Sequence, residues 1–317
     1  MAERDRIARY FAPLAAGEAG SFHLTDDAAV LAPPAGQSLI ITTDSVIESI
    51  HVLAQATPQQ FAQKLMRRNL SDLAAMGATP WRYTLNLHTP FGLADEWFAA
   101  FAATLHSEQR LFNLTLIGGD STSGGDAIHT TMTCIGLVEG APLRRSGATQ
   151  GDDLYVSGTL GDAAYALTLL QQNAPIDDAL AARYHCPSPR LELGNMLRGV
   201  ATSAIDISDG LVADIGQICS ASTCAARIET SALPLSSHLK NAALSTAQKI
   251  QFALSGGDDY ELCFTAPTSM AKAIATLSET LQLPLTRIGE ITQGHGVEVM
   301  DENGATIRLA THGFEHG

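Results

Sequence analysis

Short segments of the sequence place aspartate among apolar or small residues rather than beside lysine or arginine. Six segments share this pattern: 24–30 (LTDDAAV), 40–46 (IITTDSV), 69–77 (NLSDLAAMG), 116–121 (LIGGDS), 204–211 (AIDISDGL) and 254–262 (LSGGDDYEL). An ionised carboxylate in such surroundings costs free energy unless a partner compensates its charge. Mg²⁺ is a suitable partner, because it binds carboxylate oxygens together with substrate phosphates. The pattern therefore indicates a shared site for cations and phosphates.

Each of these aspartates, taken alone, could equally cap a helix or end a strand. Asp72 is harder to explain in that way, because it lies within a predicted helix over 58–76. At about 100° per residue, Asp72 falls roughly 20° from Phe61 and therefore within the apolar stripe. Asn69 lies one turn earlier on nearly the same side. A surface helix keeps such residues on its solvent face, so the stripe is predicted to border a polar pocket.

Glycine pairs accompany two of the aspartate segments, at 118–119 and 256–257. Glycine allows a tight turn and lets backbone N–H groups approach an anion. Ser208 and Asp209 are predicted to open a helix whose N-terminal dipole could meet a phosphate or an acid. The GxxxxGK[ST] motif is absent, and so are the HRD, DFG and VAIK motifs of protein kinases. A nucleotide site would therefore have to be of another kind.

The composition excludes several classes of protein. The 317 residues, 45% of them hydrophobic, suffice for a large core and favour two domains. With 19 basic and 33 acidic residues the net charge is -14, and no long basic run suggests a nucleic-acid partner. Five cysteines without a CxxC pair argue against a disulfide or zinc framework. The N-terminus lacks a signal-peptide core, and no apolar run reaches the roughly 20 residues of a membrane span. A cytoplasmic protein is expected.

Strand-like and helix-like runs alternate along the chain, which predicts an α/β fold, or α+β layers. Predicted strands are 38–42, 83–88, 114–117, 128–138 and 154–157, and predicted helices are 58–76, 93–108, 162–172 and 211–222. Residues 301–304 (DENG) are predicted to form a hairpin turn between 296–300 and 305–309. The stretch 139–153 is rich in glycine, proline and charge. We predict a domain boundary there, with domains at 1–140 and 141–317.

Taken in order, the motifs DDAAV, TTDS followed by His51, NLSDLAAMGA, GGDST, RSGA, DISDGL and SGGDDYEL resemble the thiamine-monophosphate kinase family. That family lies within the larger group of aminoimidazole-ribonucleotide synthetase-like ATP-binding proteins. The resemblance runs from about residue 8 to 314. It implies the two-domain fold of that group, with an N-terminal domain that binds ATP and metal and dimerises. The C-terminal domain would complete the ATP and substrate sites.

The resemblance implies phosphorylation of thiamine monophosphate to thiamine diphosphate, with ATP as co-substrate and several Mg²⁺ ions. It also implies a homodimer whose N-terminal sheets pair across the interface. The implied metal ligands are Asp27, Thr42, Thr43, Asp44, Asp72, Asp120, Asp206 and Asp209. The implied ATP contacts are Gly119, Asp120, Arg145 and Ser208, and the implied substrate contacts are His51, Glu261 and Phe314. The nucleophile would be a substrate phosphate oxygen that is already ionised, so no general base is assigned, and Asp120 and Asp209 are expected to matter most.

Two departures from the family pattern and two alternative functions accompany this interpretation. Leu24 and Thr25 stand where the family has a glycine-rich run, and Asp258 stands where it commonly has glutamate.

The chain could instead be another ATP-using synthetase of the same group. The selenium enzymes of that group rely on an early reactive cysteine, and the first cysteine here is Cys134. The third possibility is a non-catalytic regulatory protein that binds nucleotide or metal.

Overall fold

A computed structural model of the chain describes residues 3–307 and Gly313. The chain divides into two compact units. The first consists of Met1–Leu73 and Ala78–Gly140, and the second of Ala74–Gly77 and Ala141–Gly317. Each unit contains one sheet with helices packed on it. The expected α/β class is confirmed.

The first unit is built on a four-stranded sheet. Its strands are β1 (Gln37–Ile47), β2 (Thr79–Thr89), β3 (Thr115–Ser123) and β4 (His129–Glu139), and its helices are α1 (Glu3–Arg6), α2 (Pro58–Ala75) and α3 (Asp95–Leu111). The strand order is β1-β4-β2-β3. Strand β4 is antiparallel to both of its neighbours, whereas β2 and β3 run parallel. Even-numbered residues of β4 are buried and odd-numbered ones are partly exposed, as in a sheet with one covered face.

Helix α2 shows why the local sequence folds as predicted. The Thr57 hydroxyl accepts from the Gln60 amide, and the Gln60 side chain accepts from the Thr57 amide. This reciprocal cap satisfies two N–H groups that helical bonds cannot reach. Gly77, at φ +64, ends the helix in a conformation that glycine adopts without strain. The apolar stripe is buried through Phe61 and Leu65, and the predicted helix is confirmed to within one residue.

The second unit is built on a six-stranded sheet of order β10-β7-β9-β5-β8-β6. Its strands are β5 (Asp152–Ser157), β6 (Ser203–Asp206), β7 (Ala225–Glu229), β8 (Leu262–Pro267), β9 (Leu285–Thr292) and β10 (Gly296–Met300). Its helices are α4 (Asp162–Gln171), α5 (Asp178–His185), α6 (Leu191–Leu197), α7 (Leu211–Ser222), α8 (Ser237–Asn241), α9 (Thr246–Ser255) and α10 (Ala271–Leu281). Buried aliphatic residues from β5, β6 and α7 form one core.

The C-terminal hairpin is only partly as predicted. The turn itself is present, because the Asp301 amide donates to the Ala305 carbonyl at 2.9 Å. Strand β10, however, pairs in parallel with β7. The returning arm makes a single antiparallel bridge, from Met300 to Thr306, and the rest of it lies outside the described residues. Within the described part of the chain, no helix is long and apolar enough to cross a membrane.

Candidate active site

Strand β1 and helix α2 bring Thr42 and Asp72 together. The Thr42 hydroxyl donates a hydrogen bond to the Asp72 carboxylate across 30 positions of sequence. Both side chains are half-buried. The side of α2 that carries Asp72 therefore faces the TTDS segment of β1. It places two of the implied metal ligands, a hydroxyl and a carboxylate, side by side.

Asp44, two residues further along β1, pairs with Arg68. Arg68 Nε lies 3.3 Å from Asp44 Oδ2. A basic side chain therefore compensates the charge of Asp44, although the sequence segment around Asp44 contains no lysine or arginine. The sequence contained a sign of this pairing, because Arg68 precedes Asp72 by four residues and therefore lies on the same face of helix α2. Beneath them Cys134 is fully buried, and burial, with the charges of Asp72 and Asp44, raises the pKa of its thiol far above the usual value.

The remaining predicted metal ligands of the first unit, Asp27, Asp120 and Thr43, lie elsewhere than the Thr42–Asp72 contact. Asp27, Gly119 and Asp120 line one cavity, and both aspartates are exposed. Thr43 is exposed, and its hydroxyl donates to the Met132 carbonyl at 3.2 Å. Successive side chains of a strand point to opposite faces, so Thr43 points away from the face that carries Thr42.

The structure does not gather the ligands of the first unit into one cluster. Asp44 lies on β1 and Asp120 on β3, at the two edges of the sheet. Asp44 aligns with Met132, Leu85 and Gly119 in register, so three strand spacings, roughly 14 Å, separate the two edges. Among the residues that the structure describes, no three acidic, histidine or cysteine side chains are close enough to hold a metal.

Gly119 is required by the strand that carries it. A Cβ at this position would lie 1.8 Å from the Leu85 carbonyl oxygen on β2, and φ is +154. Any larger residue would push β3 away from β2. Strand pairing alone thus explains Gly119 but not Gly118, which has open space where a Cβ would be. A contact between Gly119 and ATP stays a prediction.

His51 is held by the turn that follows β1. Its Nδ1 accepts a hydrogen bond of 3.1 Å from the Ile47 amide, and its own amide donates to the Ile47 carbonyl at 2.9 Å. Because Nδ1 accepts, the neutral ring carries its proton on Nε2. The side chain is half-buried, and its predicted role toward the substrate is not tested by these contacts.

In the second unit, Asp206 ends β6 and is buried, while Ser208 and Asp209 form the turn that follows. Helix α7 runs over Leu211–Ser222 as predicted, and Ser208 and Asp209 lie in the turn just before it rather than in its first turn. The amides of Ser208, Asp209 and Gly210 all donate to Asp214 Oδ2, at 3.0, 3.1 and 3.1 Å. The sequence left open whether a phosphate or an acid would lie at the start of this helix, and the structure shows an acid, the side chain of Asp214. Burial, together with the nearby Asp209 charge, raises the pKa of Asp214 to about 7.

Glu261 is fully buried and is surrounded by donors. Arg190 donates to it through Nε at 2.6 Å and through Nη2 at 2.5 Å. Arg183 donates from both terminal nitrogens at 3.2 Å, and the Ser157 hydroxyl donates at 2.6 Å. Sequence reasoning missed both arginines, because each lies more than 70 positions from Glu261. The predicted substrate contact of Glu261 would have to form beside this network.

The rest of the SGGDDYEL segment is also anchored. Asp259 accepts from the Gly161 amide at 2.8 Å, at the start of α4, and burial raises its pKa to about 7 despite the nearby Arg183 charge. The Tyr260 hydroxyl donates to Asp258 Oδ1 at 2.9 Å. The shorter acid, Asp258, therefore has a partner.

Two predicted contacts remain. Arg145 is exposed, and its carbonyl oxygen accepts from the Ser222 hydroxyl at 3.2 Å. Phe314 lies outside the described residues. Its neighbour Gly313 packs against the Asp209 turn, where a Cβ would lie 2.8 Å from the Asp209 carbonyl oxygen.

Comparison with known proteins identifies the family. Residues 25–138 match the N-terminal domain of AIR synthase related proteins, and residues 149–302 match their C-terminal domain. The thiamine-monophosphate kinase of Haemophilus influenzae is 42% identical over 302 residues, which cover 93% of this chain and 91% of that protein. The crystal structure of thiamine-monophosphate kinase from Stenotrophomonas maltophilia has a TM-score of 0.83 at 41% identity, with 90% and 91% of the chains covered.

A second solved structure is a ThiL protein complexed with AMPPCP and TMP. It has a TM-score of 0.79 at 28% identity and covers 95% of this chain and 98% of its own. The sequence, the domain composition and the fold thus agree with the resemblance that the ordered motifs indicated. The chain belongs to the AIR synthase related proteins and, within them, to the thiamine-monophosphate kinase family.

Proposed function

We infer that this chain catalyses the ATP-dependent phosphorylation of thiamine monophosphate to thiamine diphosphate, and we propose that Mg²⁺ bound by its aspartates assists the transfer. The observation that carries the activity is its near full-length similarity to thiamine-monophosphate kinases. The related structure with AMPPCP and TMP supports a nucleotide and a phosphate ester as its two ligands. The chain is thus a phosphotransferase whose acceptor is a phosphate group.

The side chains present fit Mg²⁺ by their chemistry. Thr42 and Asp72 provide adjacent oxygen donors, and Asp27 and Asp120 share a cavity. Mg²⁺ is usually held by one or two carboxylates plus substrate phosphates and water, not by a complete protein cage. Pairs of carboxylates are therefore sufficient. The proposed ligands remain Asp27, Thr42, Thr43, Asp44, Asp72, Asp120, Asp206 and Asp209.

The proposed mechanism is direct in-line transfer of the γ-phosphoryl group. Bound Mg²⁺ would neutralise the phosphate charges that otherwise repel each other. The chain's own residues position and orient the reactants. Arg68 moderates the charge of Asp44, and Asp214 holds the turn that carries Asp209. The substrate phosphate is already ionised near neutral pH, so no side chain needs to accept a proton. We assign no general base.

The contacts with the two reactants stay residue-level proposals. Gly119, Asp120, Arg145 and Ser208 are proposed to bind ATP, and His51, Glu261 and Phe314 are proposed to bind thiamine monophosphate. The domain at 1–140 is proposed to bind ATP and metal and to dimerise, and the domain at 141–317 to complete both sites.

We propose a homodimer on the evidence of an apolar patch on the open face of the first sheet. Leu39 aligns with Leu137, and Ile41 aligns with Ile135, on strands β1 and β4. The exposed fractions of Leu39 and Ile41 are 40% and 63%. Strand β1 is also an edge of its sheet. A contiguous exposed apolar patch favours association, and a second copy of the sheet would cover this β1–β4 patch (Leu39, Ile41, Ile135 and Leu137).

We also propose that the protein acts in the cytoplasm. All five cysteines are free thiols, and four of them are buried, which suits a reducing compartment.

One assay tests the proposed activity. The purified protein is incubated with ATP, Mg²⁺ and thiamine monophosphate, and thiamine diphosphate is measured by chromatography. We expect product in proportion to ADP, and none when EDTA is present in excess over Mg²⁺. Nucleotide binding without product would contradict the proposal, and would favour a regulatory protein or a different acceptor. Equal turnover with and without divalent cation would contradict the role of Mg²⁺.

A further inference from the structure

Asp214 occupies an unusual position for a buried carboxylate. Its exposed fraction is 4%, and one of its oxygens accepts from three successive amides, those of Ser208, Asp209 and Gly210. A capping side chain normally precedes the helix and accepts from amides inside the first turn. Asp214 does the reverse, because it lies in the first turn of α7 and reaches back to the residues before the helix.

The opposite side of the same turn is held as well. The Ser208 carbonyl accepts from the Asp258 amide at 2.8 Å, and the Ile207 carbonyl accepts from the Tyr260 amide at 2.8 Å. Gly257 packs so closely that a Cβ would lie 2.7 Å from the Ser208 carbonyl oxygen. The carbonyl groups of Ile207 and Ser208 are thus bound by the GGDDYE segment, and the amide groups of residues 208–210 by Asp214.

The conformation of the turn needs this support. Gly210 has φ +128, and a Cβ there would lie 3.0 Å from the Ser255 backbone. Without an acceptor, three buried or half-buried N–H groups would have to find other partners, because an unsatisfied buried donor costs on the order of 1–3 kcal/mol. Removal of the Asp214 carboxylate would therefore favour a rearranged turn, and Asp209 would move with it.

We propose that Asp214 is a positioning residue for the reaction, which holds the Ser208–Gly210 turn so that Asp209 and Ser208 face the metal and the nucleotide. Asp214 makes these contacts through backbone amides and does not itself bind a reactant. Its carboxylate also occupies the three amides, so the nucleotide phosphates must be bound through cations and side chains instead. This inference rests on the proposed roles of Asp209 and Ser208.

The test compares the variants Asp214→Ala and Asp214→Asn with a matched control, Asp152→Ala. Asp152 is also a buried carboxylate of the second unit, with 3% exposed. It accepts from the Thr149 amide at 3.0 Å and from the Thr202 hydroxyl at 2.7 Å, away from the turn. The three readouts are hydrogen–deuterium exchange of peptides that cover 205–215, Mn²⁺ binding followed by electron paramagnetic resonance, and the kcat and KM of the kinase reaction. Asp209→Asn serves as the reference for loss of the metal ligand.

In Asp214→Ala we expect faster exchange at 208–210 and Mn²⁺ affinity about 10- to 100-fold weaker, as for other groups that orient a metal ligand. The kcat should fall on the order of 100-fold, with a smaller change in the KM for thiamine monophosphate. Asp214→Asn keeps an acceptor oxygen, so its turn should stay protected and its Mn²⁺ affinity should stay near the wild-type value. Asp152→Ala should leave the exchange at 208–210 and the Mn²⁺ affinity unchanged.

Unchanged exchange at 208–210 in Asp214→Ala would overturn the inference. So would a protected turn in Asp214→Asn combined with Mn²⁺ affinity as weak as in Asp209→Asn, because the charge rather than the position would then matter. If Asp214→Ala does not fold, Asp214→Val replaces it with the same expected results, because valine fills the space with an apolar side chain and offers no acceptor. A wild-type protein without kinase activity would contradict the proposed function. The exchange and Mn²⁺ measurements need no turnover, so they would still test the positioning role of Asp214.

Discussion

The guanidinium group of Arg190 forms two hydrogen bonds with the buried carboxylate of Glu261, at 2.6 Å from Nε and 2.5 Å from Nη2. This fork geometry aligns the planar guanidinium with both carboxylate oxygens. Arg183 and Ser157 complete the set of donors. These donors lie around a glutamate with no exposed surface, where an uncompensated charge would cost free energy.

We predict that Arg190→Ala destabilises the protein by on the order of 3 kcal/mol, because it leaves part of the charge of Glu261 uncompensated in a buried site. Guanidinium denaturation followed by circular dichroism measures the loss. The control is Arg227→Ala, which removes an exposed ion pair with Glu290 and should change stability by less than about 0.5 kcal/mol. Equal losses in the two variants would show that Arg190 does not stabilise Glu261.

Asp259 makes stability depend on pH. Its pKa is raised to about 7 by burial, so between pH 4 and 7 the folded state retains a proton that the unfolded state has lost. The contribution of Asp259 to the free energy of unfolding is therefore fully present below pH 4. It decreases as pH rises toward 7, by at most about 1.4 kcal/mol per pH unit. In Asp259→Asn this loss is absent, so the stability of the variant relative to the wild type should increase from pH 4 to pH 7.

Unfolding midpoints of Asp259→Asn and of the wild type, measured at several pH values from 4 to 8, check this expectation. Asp259→Ala should show the same trend with pH but lower stability throughout, because it also leaves the Gly161 amide without its acceptor. A constant difference between Asp259→Asn and the wild type would contradict the raised pKa.

Asp120 and Asp209 are the aspartates whose removal should affect turnover most. We expect Asp120→Asn and Asp209→Asn each to lower kcat by at least on the order of 100-fold, since each removes a charge proposed to stabilise the reaction centre. Both substitutions conserve volume, so circular dichroism should be unchanged. Glu279→Gln, at an exposed position of α10, is the control. Wild-type turnover of either variant at saturating Mg²⁺ would exclude that aspartate as a ligand.

The β1–β4 patch should determine the oligomeric state. Ile41→Glu introduces a charge that would have to be buried in the proposed dimer, so we expect this variant to be monomeric. Size-exclusion chromatography with multi-angle light scattering gives the mass directly. Leu111→Glu changes an equally exposed apolar residue at the end of α3 and should remain dimeric. A wild-type protein that is already monomeric would exclude the proposed interface.

Much of the fold could be predicted from local sequence. Helix α2 was predicted to within one residue because Thr57, Pro58 and Gly77 mark both of its ends. Helix α7 was predicted with its observed bounds, 211–222. The sequence did not show that the amides of the preceding turn, which includes Ser208 and Asp209, are bound by the carboxylate of Asp214.

The sequence by itself determined the family, through ordered motifs, and the identity of the acidic residues that could bind cations. It also placed Asp72 on the apolar stripe of its helix, which the contact with Thr42 bears out. Only the tertiary structure decided which partners these acids have. Arg68 reaches Asp44, and Arg190 reaches Glu261 across 71 positions of sequence. The physical reason is that compensation of charge depends on distance in space, which the strand order and the packing of helices create and which no local pattern records.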